Sequence, residues 1–402
     1  MLFQTLDNKR ECVGIVTDGE LHSEIDDKLH LTHTWDYSEI LGDRDIQYAY
    51  LYSGGKTLNE ACPEHLEGAL ETCLTRMRGF LRSLSQTGID LNKNCFFDLV
   101  PMEFLLEFCA LKDSICQHVF ASYEKPHNYE FLCDLLQVVG KIGTQQLNIN
   151  LGALTPTEIA ETKNRKFIKN IQAKKFSKYC DFDIFGTKTG RLSTHKGSFP
   201  ALTMHKQLRK TIKPTNDFFV EIDYNAAELR VLLALAGKEQ PEIDIHEWNV
   251  KNVYRGLVTR EEAKKRIFAW LYNPDSKDYL SSRAYERDSV RQKYSTQGQV
   301  TTFWSRVIPS DEFHAMSYII QSTTSDLFLR QMIKVNNFLQ DKKTHIAFPL
   351  HDALILDFSA KETNLIPEII DVFSDTELGR FKVGSSAGKN FFDMKPLTSY
   401  NK

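Results

Sequence analysis

The chain has 402 residues, 42% of them hydrophobic and 26% charged, with a formal net charge of −3; this is ordinary globular usage, with room for one large or two to three small units. No segment approaches about 18 uninterrupted apolar residues, and MLFQTLDNKRECVGIVTDGE has no basic stretch leading into a long apolar one, so neither membrane spanning nor secretion is expected. The eight cysteines (Cys12, Cys62, Cys73, Cys95, Cys109, Cys116, Cys133 and Cys180) form no CxxC and no Cys/His cluster at zinc-like spacing, and read as reduced thiols of a cytoplasmic protein.

Residues 1–55 form a short, β-leaning, acidic segment that ends in the turn signal Gly54-Gly55. From Thr57 to Lys178 the pattern turns helical: LEGALETCLTRMRGFLRSL and MEFLLEFCALKDSICQHVF repeat apolar residues at three- and four-residue intervals. Such helices occur in every fold class and are silent about function. Residues 161–214 hold eleven lysines and three arginines against Glu161, Asp181 and Asp183, a net +11 within a chain of total −3. Alone this could be a solvated surface; it is also the footprint expected for a polyanion.

Beyond Asp181 the pattern alternates. FFVEIDY is a strand leading at once into the helical AAELRVLLALAG, and HIAFPLHDALILDF reads as two strands around a tight turn, with a charged, helix-rich insertion from about His246 to Met316 between them. Asp223 ends the first strand, where its carboxylate projects at the sheet edge. Asp352 lies in the turn of the second strand pair. Two carboxylates presented from neighbouring strands can hold magnesium ions, which take oxygen ligands and share them with substrate phosphates. A lone Asp at a strand end is more often a turn or cap residue, so the neighbouring motifs decide.

The clearest is TREEAKKRIFAWLY, Thr259 to Tyr272. Thr259 is placed to cap a helix, with Glu262 at the capping-box position. Arg260, Lys264, Phe268 and Tyr272 are each four apart, a row roughly 18 Å long with two cations first and two aromatics last. A nucleoside triphosphate has that polarity: its phosphates would meet the cations, its sugar and base the rings. A solvated basic helix with two core aromatics would have the same sequence.

These residues resemble the motifs of family A (polymerase I-like) DNA polymerases, one after another. The helix is similar to the family's R-x3-K-x3-F-x3-Y fingers helix; Asp223 to Arg230, DYNAAELR, to motif A; and Leu350-His351-Asp352 to motif C. Thr189-Gly190-Arg191-Leu192-Ser193 matches T-G-R-L-S, and Asp244-Ile245-His246 matches D-I-H. Val300 to Arg306, and Gln321 within QSTTSD, are weaker matches. The elements occur in the family's order across residues 180–400.

The resemblance implies an α+β, right-hand polymerase fold with a palm of antiparallel sheet plus helices, helical fingers and a helical thumb. It places the thumb at 56–178, the palm at 179–245 and 317–402, and the fingers at 246–316. It implies a DNA-directed DNA polymerase that adds deoxynucleotides to a primer 3′-hydroxyl by a two-metal mechanism in DNA replication. Two Mg2+ ions, or Mn2+ in their place, would be held by Asp223, Asp352 and the carbonyl of Tyr224. Arg260, Lys264, Phe268, Tyr272, Glu228 and His246 would bind the dNTP, with Glu228 excluding a ribose 2′-hydroxyl and bonding to Tyr272. Arg191, Thr189, Gln321, His351 and Arg230 would contact primer-template DNA.

Four departures stand out. Ala353 replaces the acid that usually follows the motif C Asp, Asn273 replaces the glycine after Tyr272, and Phe313 and Ser317 stand where Arg and Asn are usual. Residues 1–55 are too short for a 3′–5′ exonuclease and lack its D-x-E pattern, so proofreading is expected to be absent or to come from another chain; a separate exonuclease, a processivity factor or a helicase-primase are the possible partners. The compact length suggests a viral enzyme working in the host cytoplasm. The competing possibility is a catalytically inactive polymerase-like module that binds DNA or scaffolds a replisome.

Overall fold

The computed structural model describes residues 3–6, 12–17, 20–22, 47–89, 99–143, 145–173 and 175–397. Cys95 and the acidic stretch from 23 to 46 lie outside the described residues. The chain divides into two compact units, Met1–Cys133 and Asp134–Lys402.

In the first unit, the strands Phe3–Leu6, Cys12–Thr17 and Glu20–His22 form an antiparallel sheet in that order, as the β-leaning composition predicts. The helices Glu64–Gln86 and Met102–Ser122 follow. The first has a narrow apolar stripe, so only Leu70, Cys73 and Met77 are buried from it. The second is apolar around more of its circumference and buries Phe104, Leu105, Phe108, Ile115 and Val119 almost completely. Each such large apolar side chain contributes about 1.5–3 kcal/mol when removed from water. Cys62, Cys73, Cys109 and Cys180 are free thiols.

The second unit is built on a five-stranded antiparallel sheet in the order His345–Leu350, Ala353–Phe358, Phe218–Tyr224, Val383–Gly388, Lys395–Pro396. Ala353–Phe358 is buried at every position, which suits its largely apolar sequence ALILDF; the exception, Asp357, accepts from the Thr215 and Asn216 amides. Phe218–Tyr224 is the central strand. Its even-numbered side chains Ile222 and Tyr224 enter the core; Tyr224 stacks on Phe373 at 4.3 Å and donates a hydrogen bond to that residue's carbonyl at 2.7 Å. Phe373 belongs to the helix Ile366–Ser374, which packs against the long helix Glu312–Phe338. Glu221 and Asp223 alternate onto the opposite face.

Between the central strand and His345 the chain leaves the sheet, as the sequence predicts, and forms the helices Arg260–Tyr272, Tyr279–Tyr285 and Arg287–Tyr294. It also contains a small antiparallel sheet of Ser295–Thr296, Gln299–Thr301 and Val307–Pro309. Strands of two or three residues are too short to show alternation in sequence. Among the described residues no helix is long and apolar enough to cross a membrane.

Candidate active site

The sheet brings Asp223 and Asp352 together. Ala353 pairs directly with Asp223, and Leu350 pairs with Ala353, so His351 and Asp352 form a two-residue turn beside the end of the central strand. On the other flank Asp223 pairs with Gly384. Small residues on both sides leave the carboxylate room. His351 has φ +57°, a left-handed conformation usual for glycine at the first residue of such turns and strained for histidine. After Asp223 the chain turns sharply through Ala226, φ +52°, into the helix Ala227–Leu235. Both acidic residues are thus held by tight backbone corners on adjoining strands.

The Asp223 carboxyl is pushed up to about 7, first by the protein crowding it and then by the negative charges of Asp352 and Glu221. Its outer face remains solvent-accessible, so the like-charge repulsion is the part of the shift that a bound cation would relieve. Among the described residues no group of three or more His, Cys, Asp or Glu side chains stands ready to hold a metal. The donors are two carboxylates, with the Tyr224 side chain turned into the core so that only its carbonyl could join them. An oxygen-only, incomplete donor set suits a hard divalent ion that keeps water or phosphate ligands.

The helix Arg260–Tyr272 starts as its sequence predicts: Thr259 accepts from the Glu262 amide and Glu262 reaches back to Thr259, completing the capping box. Phe268 and Tyr272 stack with ring centroids 6.4 Å apart, and His246 lies 6.0 Å from Phe268. His246 is buried, which lowers its pKa, and its Nδ1 has no hydrogen-bond partner among the described residues. Lys264 is exposed. Arg260 is engaged: its guanidinium spans both oxygens of Asp244 at 2.9 and 3.1 Å. Asp244 also caps the short helix Ile245–Trp248 and accepts from Asn225 at 2.7 Å. Asn225 in turn accepts from the Ile245 amide and from Arg230, tying motif A to the D-I-H segment.

Glu228 is the hub of the site. One oxygen accepts from the Tyr272 hydroxyl, as expected; the other is 2.9 Å from Arg191 Nη2. Gln321 reaches the Tyr272 hydroxyl from the long helix. Burial, and next the Glu228 charge, hold Tyr272 protonated. Four residues from four separated sequence elements thus form one network. A cavity of about 200 Å³ lies between Arg191, Thr324, Ser325, His351 and Asp352. Thr189 is buried in the turn before Arg191.

Arg230 corrects the sequence expectation. It is fully buried, and its guanidinium donates to the carbonyl oxygens of Asn225, Pro241 and Ile243 and to the Asn225 side chain. It faces no primer-template; it pins the loop that carries Asp244. The resemblance placed it at the primer-template, but its helix is buried nearly all round. Asn225 and the Arg306–Asp326 ion pair (2.6 Å) are further site-building residues, which the matched motifs include but to which sequence reasoning gave no role.

No protein-family model matches the chain. It is 24% identical over 275 residues to a DNA polymerase I of Chloroflexus aurantiacus, covering 54% of this chain and 29% of the relative. It is 22% identical over 204 residues to a DNA polymerase of Mycobacterium phage L5, covering 43% and 33%. The chain therefore spans about a third of the length of these relatives. In structure it is similar to the polymerase domain of Pol1 from M. smegmatis, solved in complex with DNA primer-template and dNTP, with a TM-score of 0.56 and 11% identity over 72% of this chain and 76% of that one. The chain has a family A-like polymerase fold. Within that fold the two carboxylates stand on the central sheet, and the Arg260–Tyr272 helix meets them through Glu228.

Proposed function

We propose that the chain is a DNA-directed DNA polymerase that adds deoxynucleotides to a primer 3′-hydroxyl in DNA replication. The observation that supports this best is the meeting of two separate constellations. Asp223 and Asp352 adjoin on the sheet, and the cationic-aromatic helix docks beside them through the Tyr272–Glu228 hydrogen bond. The domain assignment belongs to the same proposal: 56–178 as thumb, 179–245 and 317–402 as palm, 246–316 as fingers.

Asp223, Asp352 and the Tyr224 carbonyl would hold Mg2+, which when bound would lower the pKa of the attacking hydroxyl and neutralise charge on the leaving pyrophosphate. The remaining work falls to the chain's own groups. Lys264, and Arg260 once drawn from Asp244, meet the triphosphate and stabilise the charge spreading over it. Phe268 lies against the nucleotide's sugar and base, and His246 backs Phe268 and supports the phosphates. Glu228, fixed at both oxygens, occupies the space a 2′-hydroxyl would need. Arg191 and His351 line the cavity, and with Gln321 and Thr189 they would meet the primer end, where edge contacts check base-pair shape.

The inactive-module alternative is motivated by Ala353 and Asn273. Asn273 ends its helix at φ −100°, ψ 108°, a conformation open to any residue, so the missing glycine imposes no strain. Ala353 faces Asp223 and leaves it unobstructed. The test is Asp223→Ala: primer extension should be abolished with DNA binding retained, and extension persisting in a clean preparation would overturn the assignment.

A further inference from the structure

The turn that carries Arg191 rests on a buried ion pair contributed by other parts of the chain. Arg306 Nη2 lies 2.6 Å from Asp326 Oδ1, and its Nε lies 3.2 Å from Oδ2, a two-point contact to a carboxylate on the long helix. Asp326 is 2% exposed. Gly190 packs against the same guanidinium: its φ is +77°, and a Cβ there would come within 2.5 Å of Arg306 Nη2. The turn is closed by the Gly190 amide donating to the Thr187 carbonyl at 3.3 Å and by the Thr187 hydroxyl donating to the Arg191 carbonyl at 2.8 Å. From it Arg191 reaches Glu228 at 2.9 Å, and the other Glu228 oxygen accepts from Tyr272.

A buried ion pair is a weak source of stability, because desolvating two charges offsets most of their attraction. Its planar, two-point geometry does fix direction. We propose that Arg306 and Asp326 are positioning residues for sugar selection: Asp326 locks the Arg306 guanidinium, the guanidinium forms the wall on which the Gly190 turn rests, and the turn sets Arg191 against Glu228. The inference rests on the polymerase reading of Glu228. Displacing the turn loosens one of the two holds on that carboxylate, while the hold from Tyr272 and the catalytic carboxylates stay in place.

The experiment measures kcat/KM for dATP and for rATP on one primer-template, comparing wild type with Gly190→Ala and with Arg306→Lys, which keeps the charge but loses the fork. The expected result is a preference for dATP reduced roughly tenfold or more, the scale of a small misplacement of a positioning group, with rATP use rising relative to dATP. A purely structural role would lower both substrates together, and an unchanged ratio overturns the proposal. Thermal melting checks folding. If either variant fails to fold, Thr187→Val, which removes only the hydroxyl bridge to Arg191, carries the same test with a smaller expected fall in the ratio. Wild-type protein that extends no primer with dATP overturns the polymerase reading itself, a distinct outcome from extension with undiminished selectivity in the variants.

Discussion

The Tyr272 hydroxyl donates its hydrogen bond to Glu228 across a sequence separation of 44 residues. It joins the last turn of the cationic-aromatic helix to the first turn of the helix that follows Asp223. With Arg191 on the second oxygen, the carboxylate has no freedom to swing aside.

Replacing Glu228 with Ala should therefore open the site to ribonucleotides. We expect rNTP incorporation relative to dNTP to rise by about 100-fold, with a smaller rise for Tyr272→Phe, which leaves the Arg191 contact intact. Single-nucleotide incorporation kinetics with both sugars measure this; an unchanged ratio in Glu228→Ala would remove Glu228 from sugar selection.

The Asp223 carboxyl, raised to about 7 in the metal-free protein, gives metal binding a pH dependence with a definite sign. Below 7 Asp223 is mostly protonated, so the ion must displace a proton and its affinity falls as pH falls. Above 7 the carboxylate is free and affinity levels off. Magnesium or manganese titrations between pH 6 and 8, in two buffers of different ionisation enthalpy, should show proton release at pH 6 that fades by pH 8. In the metal-free protein the same raised pKa makes Asp223 destabilising as pH rises through 7, and added metal should offset that loss. Absence of proton release from wild type at pH 6, or release that persists unchanged in Asp223→Asn, would contradict the coupling.

Asp244 behaves in the opposite sense. Although burial alone would raise it, the Arg260 guanidinium, the Glu247 amide and Asn225 together hold its carboxyl well below the usual carboxylate range. A depressed carboxylate contributes stability above its unfolded pKa of about 4 and loses it as pH falls. Asp244→Ala removes a helix cap as well, and should cost ~1–2 kcal/mol near neutral pH. Urea denaturation at pH 7 and pH 3 should show the difference from wild type shrinking on acidification; a constant difference would mean that the cap and ion pair are not what Asp244 supplies.

Arg230 should prove structural. Its guanidinium is spent on the loop carrying Asp244, and burial pulls its pKa down to about 10. Arg230→Ala leaves several buried carbonyl oxygens without donors and should destabilise the protein by about 3 kcal/mol or more. The salt dependence of DNA binding by the folded fraction should stay as in wild type, because no phosphate contact is lost. A flatter salt slope would return Arg230 to the DNA interface.

The local parts of this architecture were legible because local chemistry specifies them. Alternation in FFVEIDY and the apolar runs either side of the His351-Asp352 turn in HIAFPLHDALILDF marked the strands, and Thr259 with Glu262 marked a helix start that the structure reproduces as a reciprocal capping box. The position of Asp223 was legible too, although it ends the central strand and not a lateral one. What stayed hidden was non-local. Arg230 was assigned to the primer-template by resemblance, and nothing in its sequence neighbours reveals that carbonyl oxygens of residues 241 and 243 fold back onto it. The Arg191–Glu228 and Arg306–Asp326 pairs join residues 37 and 20 positions apart, and no periodicity encodes such pairings. The small sheet between Ser295 and Pro309 escaped because strands of two or three residues hold too few repeats of a two-residue alternation to stand out.

The central claim, that Asp223 and Asp352 form one metal-dependent catalytic pair, is tested most directly by extending a labelled primer on a DNA template with four dNTPs and magnesium, comparing wild type with Asp352→Asn. The account predicts extension by wild type, dependent on added metal, and a loss of at least about a thousandfold in Asp352→Asn with primer-template affinity retained. Extension by Asp352→Asn at the wild-type rate, or DNA binding by wild type without extension under either magnesium or manganese, would contradict it.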